Sequence, residues 1–84
     1  MYYKLYTLDG KFLGESNNVP KNFSGFVEYS GGAIEWFLDG YWHRIGGPAI
    51  EETSGHTVWY VFGKYKTKEQ HDLLYSIMKL KGLL

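Results

Sequence analysis

His43, His56 and His71, with the adjacent carboxylates Glu51 and Glu52, are the side chains that could ligate a metal or carry protons in this chain. A protein zinc site needs ligands at short, fixed spacings, as when two histidines share one face of a helix or close a loop. No two of these histidines stand at such a spacing. His56 follows a glycine turn and His71 falls in the first turns of a helical stretch, so structural histidines, exposed or hydrogen-bonded, are expected and a metal is not. Catalysis has no better footing. There is no nucleophile elbow, no phosphate-cradling loop opening a helix, and no carboxylate pair whose surroundings would drive the two pKa values apart. The glycines fall at turn spacing, which accounts for them without a ligand. The chain reads as a non-enzyme with no cofactor.

Aromatic residues interleaved with cations are the stronger chemical signal. Tyr41 and Trp42 precede His43 and Arg44, and because adjacent strand residues point to opposite faces, one of the polar pair is expected in solvent. Such a surface is enriched at protein interfaces. Arg44 has a competing use: pairing with Glu28, Glu35 or Glu51 on a neighbouring strand would fix the sheet register instead. Further on, Tyr60, Lys64, Tyr65, Lys66 and Lys68 could stack bases and neutralise phosphates. The formal net charge is zero, however, whereas a dedicated nucleic-acid binder is basic overall. RNA contact is therefore expected only as part of a protein–RNA complex. The residues singled out for partner binding are Tyr41, Trp42, Arg44, Lys64, Tyr65, Lys66 and Lys68.

Charge is distributed unevenly along the chain. Residues 1–63 carry four basic side chains (Lys4, Lys11, Lys21, Arg44) against seven acidic ones, and residues 64–84 carry five lysines against Glu69 and Asp72. An acidic body with a basic end can orient a charged partner, although a solvated helix face also explains the lysines. At 84 residues a single domain, 1–84, is expected, and it must build its core from large side chains. It has them, with 3 Trp, 8 Tyr and 5 Phe. The absence of Cys removes disulfides and thiol chemistry and suits a reducing compartment, so the cytoplasm is the expected location. The longest apolar run, Val58 to Phe62, is too short for a membrane span, and Met1 to Gly10 has no signal-peptide pattern.

These side chains are carried on an internal repeat. Shifting residues 26–44 by 23 positions lays Glu28 on Glu51, Gly32 on Gly55, Trp36 on Trp59 and Gly40 on Gly63. Self-similarity at such a period marks stacked supersecondary units. Alternation through Ile34, Trp36 and Leu38, and through Thr57, Trp59 and Val61, makes each unit a β-hairpin with a return strand, with both Trp on one face. Gly31-Gly32 and Ser54-Gly55 supply the turn before each Trp strand, Asp39-Gly40 and Phe62-Gly63 the turn after it. A degenerate copy at residues 1–23 aligns Gly10 with Gly40, which leaves seven extra residues to be absorbed by a loop near Glu15 to Asn22. Strands are expected near 2–8, 11–15, 24–30, 33–39, 41–45, 48–53 and 57–62. From Thr67 to Leu80 the period becomes helical, with Leu73, Leu74, Ile77, Met78 and Leu80 as the apolar stripe and Lys68, Asp72, Tyr75 and Lys79 opposite. Thr67 with Gln70 predicts a capping box and Gly82 a C-terminal stop. The expected fold is mainly β: an antiparallel meander of two and a half hairpin repeats (two of them in 24–66), with a helix over 67–82 packed on the sheet or capping it.

Trp36-Phe37-Leu38-Asp39-Gly40 and Trp59-Tyr60-Val61-Phe62-Gly63-Lys64 resemble the signature of MORN-type β-hairpin repeats, an aromatic pair followed by a glycine turn. His43-Arg44-Ile45-Gly46-Gly47-Pro48-Ala49 is similar to a His-Arg-x-x-Gly-Pro-Ala linker of repeat proteins from tailed bacteriophages. The resemblance covers about residues 24–66, and the second unit departs from it with Lys66-Thr67 in place of His-Arg. It implies a small phage protein that binds a host protein as an inhibitor or adaptor, for example in anti-defence or host takeover against a ribonuclease toxin. RNA or nucleoprotein binding through the basic C-terminal segment is the alternative, and a structural or assembly role the third. No membrane partner is expected, and an exposed edge strand would permit a homodimer.

Overall fold

Two kinds of turn, both set by residues at positive φ, cut the chain into hairpins in the computed structural model, which describes residues 2–84. The first kind recurs at Thr7–Lys11, Tyr29–Ala33 and Glu52–His56. In each, the first residue's N–H donates to the fifth residue's carbonyl (2.8, 2.9 and 2.9 Å), and a glycine in fourth place donates back to the first (3.0, 2.8 and 2.9 Å). Those glycines, Gly10, Gly32 and Gly55, have φ of 94°, 99° and 92°, the signature of a hairpin loop closed by a glycine bulge. The second kind is the tighter two-residue loop at Asp39-Gly40 and Phe62-Gly63, where both residues are left-handed (φ 50° and 84°, 49° and 76°).

Between the turns lie β1 (Tyr3–Tyr6), β2 (Phe12–Ser16), β3 (Gly25–Glu28), β4 (Ile34–Leu38), β5 (Tyr41–Trp42), β6 (Ile50–Glu51), β7 (Thr57–Val61) and β8 (Lys64–Lys66), followed by the helix α1 (Lys68–Leu80). Every pairing is antiparallel, in the order β2-β1-β3-β4-β6-β7-β8, with β5 beside β4. The mainly antiparallel sheet with one C-terminal helix is the expected fold. The strands are shorter than the alternation predicts, most of all at 41–45 and 48–53, where Gly46, Gly47 and Pro48 bend the chain out of the ladder. One strand, β8, was not expected at all.

The N-terminal copy is present in a different register from the one its Asp-Gly pair suggests. Gly10 shares its turn with Gly32 and Gly55, not with Gly40, so β2 corresponds to β4 and β7, and past a bulge at Leu13 Gly14 pairs with Leu5 as Glu35 pairs with Val27 and Val58 with Ile50. An Asp-Gly pair suits either kind of turn, which is why it misaligns the copies. Residues 17–24 are thus no insertion. They are the first unit's turn and return segment, rerouted to cross back past β1 so that β3 can pair with it.

That crossing segment builds the core. Register places Leu5, Val27, Glu35, Ile50 and Val58 on one face. There Leu5, Val27 and Phe37 are buried with Phe23, and Tyr3, Val19 and Tyr29 pack around them. The other face carries an aromatic ladder across the strands: Phe12 to Tyr6 (5.5 Å between centroids), Tyr6 to Phe26 (4.7 Å) and Phe26 to Trp36 (4.5 Å). Trp59 lies on this second face too, as the alternation requires.

The helix covers the Trp59 end of that face. Thr67 accepts the Gln70 N–H and Gln70 returns a bond to the Thr67 N–H, the predicted capping box. Gly82 (φ 70°) donates to the Lys79 carbonyl and Leu83 to that of Met78, closing the C-terminus as a Schellman motif. The packed stripe is not the predicted one. His71 is buried, Leu74, Tyr75 and Met78 are half-buried, and Leu73, Ile77 and Leu80 face solvent. The rotation is set by contacts at the Gly46–Pro48 bend: the Gly46 N–H donates to His71 Nε2 (3.3 Å), and the Tyr75 ring lies against Gly46. A polar anchor and a small residue outrank hydrophobicity along so short a helix.

Candidate functional site

β5 and the β7–β8 hairpin are sewn together by their backbones. Arg44 N–H donates to the Tyr60 carbonyl (3.2 Å) and Gly63 N–H to the Trp42 carbonyl (2.8 Å). Gly63 is required by more than its φ, because a Cβ there would meet Tyr41 Cδ1 at 2.8 Å. The seam brings rings into a row: Trp42 lies 5.0 Å from Tyr60, and Tyr60 lies 6.0 Å from Tyr65, its cross-strand partner. At the hairpin tip the Phe62 ring meets His43 at 4.2 Å. Tyr41, Phe62 and Tyr65 are 60–64% exposed and Trp42 37%. Aromatic rings held by a sheet and left wet at this level offer contact area with little side-chain entropy to lose.

Of the residues singled out in the sequence, Tyr41, Trp42 and Tyr65 come together here, with Lys64 next to Tyr65 on the other face of β8. The others are engaged elsewhere. Arg44 lies on the opposite face, its guanidinium 4.2 Å from the Trp36 ring centroid, 3.6 Å from Glu51 and bonded to the Pro48 carbonyl at 3.2 Å. Of the two uses weighed for Arg44, the cross-strand pairing with Glu51 is the one seen. Lys66 is half-buried opposite Trp59, and Lys68 donates to Asp72 (2.8 Å), a bond that raises the lysine's pKa and holds the carboxyl below its usual value.

Tyr60, the middle ring of the row, was named in the sequence only as a base-stacking ring and not among the partner-binding residues, and Phe62 was passed over. A signal for Phe62 was available. The tight loop demands a left-handed residue, which Asp39 supplies at little cost in the second unit, whereas a phenylalanine is strained there.

Two of the histidines accept backbone hydrogen bonds. His43 Nδ1 accepts the Phe62 N–H (2.9 Å), and burial holds its pKa below the ordinary value. His71 accepts at Nε2, which leaves the ring proton on Nδ1 facing Asp72 Oδ1 at 3.2 Å. His56 is exposed in its turn. Among the described residues no three metal-ligating side chains converge, and no helix is long and apolar enough to cross a membrane. Comparisons with protein-family models, with curated proteins and with solved structures found no match.

Proposed function

We propose that this chain is a non-enzymatic binding protein that engages a protein partner through the exposed ring surface of β5 and the β7–β8 tip, with Tyr41, Trp42, Phe62 and Tyr65 as anchors and Lys64 at the rim. The observation that carries this reading is Phe62. A bulky ring occupies a backbone position where the fold favours Asp, Asn or Gly, and it stands in solvent beside three other exposed aromatics. Its ring contact with His43, at 4.2 Å, leaves most of the side chain in solvent. The likeness of the repeats to MORN-type and phage repeat proteins supports a narrower version, in which the chain is a phage inhibitor or adaptor acting on a host protein in the cytoplasm.

Affinity capture of the tagged protein from its host, with and without ribonuclease, tests both the surface and the partner class. Trp42→Ala or Tyr65→Ala should weaken the captured complex by about 1–2 kcal/mol with the fold intact. A complex lost on ribonuclease treatment would turn the reading toward RNA contact through Lys64, Lys66 and Lys68. Variants that bind as wild type would remove this surface from consideration.

A further inference from the structure

Glu35 stands where the fold calls for an apolar residue. Its equivalent in the third unit is Val58, and its direct cross-strand neighbours are Val27 and Ile50. A carboxylate among apolar neighbours loses hydration and must be compensated. Here one oxygen, Oε1, accepts both the Trp42 indole N–H (2.9 Å) and the Tyr29 hydroxyl (3.1 Å). Neither donor belongs to the repeat pattern, since Glu52 replaces Tyr29 and Tyr65 replaces Trp42 in the third unit. The constellation is therefore particular to the second unit.

These groups face a cleft of about 510 Å³, walled by Tyr29, Phe37, Tyr41 and Trp42, with Glu35 within and Asp39 at its edge. The crossing segment, through Val19 to Asn22, forms the far wall, and Lys21 there is outnumbered by the two carboxylates. We infer that this cleft binds an organic cation, an alkylammonium or guanidinium group, seated against the rings with Glu35 as its counter-charge. An anion would meet Glu35 and Asp39. A neutral apolar group would leave the Glu35 charge without purpose, and a hydrated metal ion would find rings where it needs oxygen ligands. A weakly hydrated organic cation suits both parts, because aromatic faces attract positive charge and a partly desolvated carboxylate adds a charge-assisted contact. This inference stands apart from the protein-binding surface above, although Tyr41 and Trp42 border both, and its test needs no protein partner.

The Trp42 indole N–H, bonded to Glu35, is the reporter. In ¹H–¹⁵N spectra of the full chain its resonance, assigned by Trp42→Phe, is followed during titration with choline, tetramethylammonium, and short peptides containing trimethyl-lysine or arginine. The expected result is a saturable shift of that signal, with Kd of about 1 mM or tighter, while the Trp59 indole stays in place. The uncharged isostere of choline, 3,3-dimethylbutan-1-ol, should bind about tenfold more weakly, as should choline to Glu35→Gln, whose amide oxygen can still accept both protein bonds. A tighter fit for the free amines or for the peptides tells a small-molecule source from a partner's side chain, and either supports the site. No saturable shift with any cation, or equal affinity for the uncharged alcohol, would overturn it. The comparison with the alcohol is made on the wild-type chain, so the outcome does not depend on how the variant folds.

Discussion

At the scale of single residues, Phe62 and His43 form a pair whose two members respond to different tests. Phe62 holds φ 49°, and its backbone N–H is accepted by His43 Nδ1. Replacing Phe62 by Asn keeps that N–H and relieves the left-handed strain, so Phe62→Asn should raise stability by about 0.5–1 kcal/mol in thermal melts. The same variant should bind the captured partner more weakly. A less stable Phe62→Asn, or one that binds as wild type, would count against a functional reason for this side chain. His43 links the same hairpin to pH. Its folded pKa is depressed by burial, so between that value and the unfolded value of about 6.5 the unfolded chain binds the proton more readily. The contribution is whole above about pH 6.5 and is lost as pH falls through the folded pKa. His43→Asn keeps an acceptor and removes the titration. The melting temperature of wild type should therefore drop more steeply than that of the variant between about pH 7 and pH 5, and parallel curves would assign the pH dependence to other groups.

Among the elements, those whose signals are local were legible in the sequence, and those decided by tertiary contacts were not. The capping box at Thr67 and Gln70, the Gly82 stop and the glycine turns need only neighbours along the chain, and each appears where the residues place it. The rotation of α1 depended on a bond between residues 25 positions apart, Gly46 and His71, and no periodicity carries that. β8 escaped notice because Lys-Tyr-Lys has no apolar face to announce it. It forms because Gly63 turns the chain back along β7. The same division runs through the site: Tyr41, Trp42, Lys64 and Tyr65 were found by composition, but the capture of Arg44 by Trp36 and Glu51 needed the register of β4 and β6. Trp59 ties these elements together, with its ring 6.4 Å from His71 and its strand flanked by β6 and β8. It is half-buried, so Trp59→Ala should cost about 2–4 kcal/mol, toward the lower end of the range for a core tryptophan. Chemical denaturation measures this directly, and an unchanged midpoint would mean that helix and sheet do not depend on the ring.

For the whole molecule, the decisive fact is where the buried residues lie. The chain extends over 39 × 26 × 19 Å, and its principal cluster, Leu5, Phe23, Val27 and Phe37, sits beneath the crossing segment at the N-terminal end. Ala49, Val61 and His71 are the buried side chains of the C-terminal units. The two ends meet through the β4–β6 ladder, extended by the Trp36 N–H bond to the Ala49 carbonyl, and through β5, which pairs with β4 and is sewn to the β7–β8 tip. Edge protection is uneven as well. β2 carries Gly14 at φ 136° beside its bulge, and β8 is three residues long with a lysine at each end, features that blunt a sheet edge. Stability in a small domain follows buried apolar area, and local opening follows its absence. Native-state hydrogen exchange should therefore find the slowest amides in β1, β3 and β4, exchanging only through global unfolding. Amides of β8 and α1 should exchange through a smaller opening that leaves the N-terminal cluster intact, with a correspondingly weaker dependence on denaturant. The exposed rings of Tyr65 and Phe62 would then belong to the less stable part, able to adjust in the proposed complex, while Tyr41 and Trp42 are held by β4. Equal protection and equal denaturant dependence at both ends would show one cooperative unit instead, and the surface would have to be treated as rigid throughout.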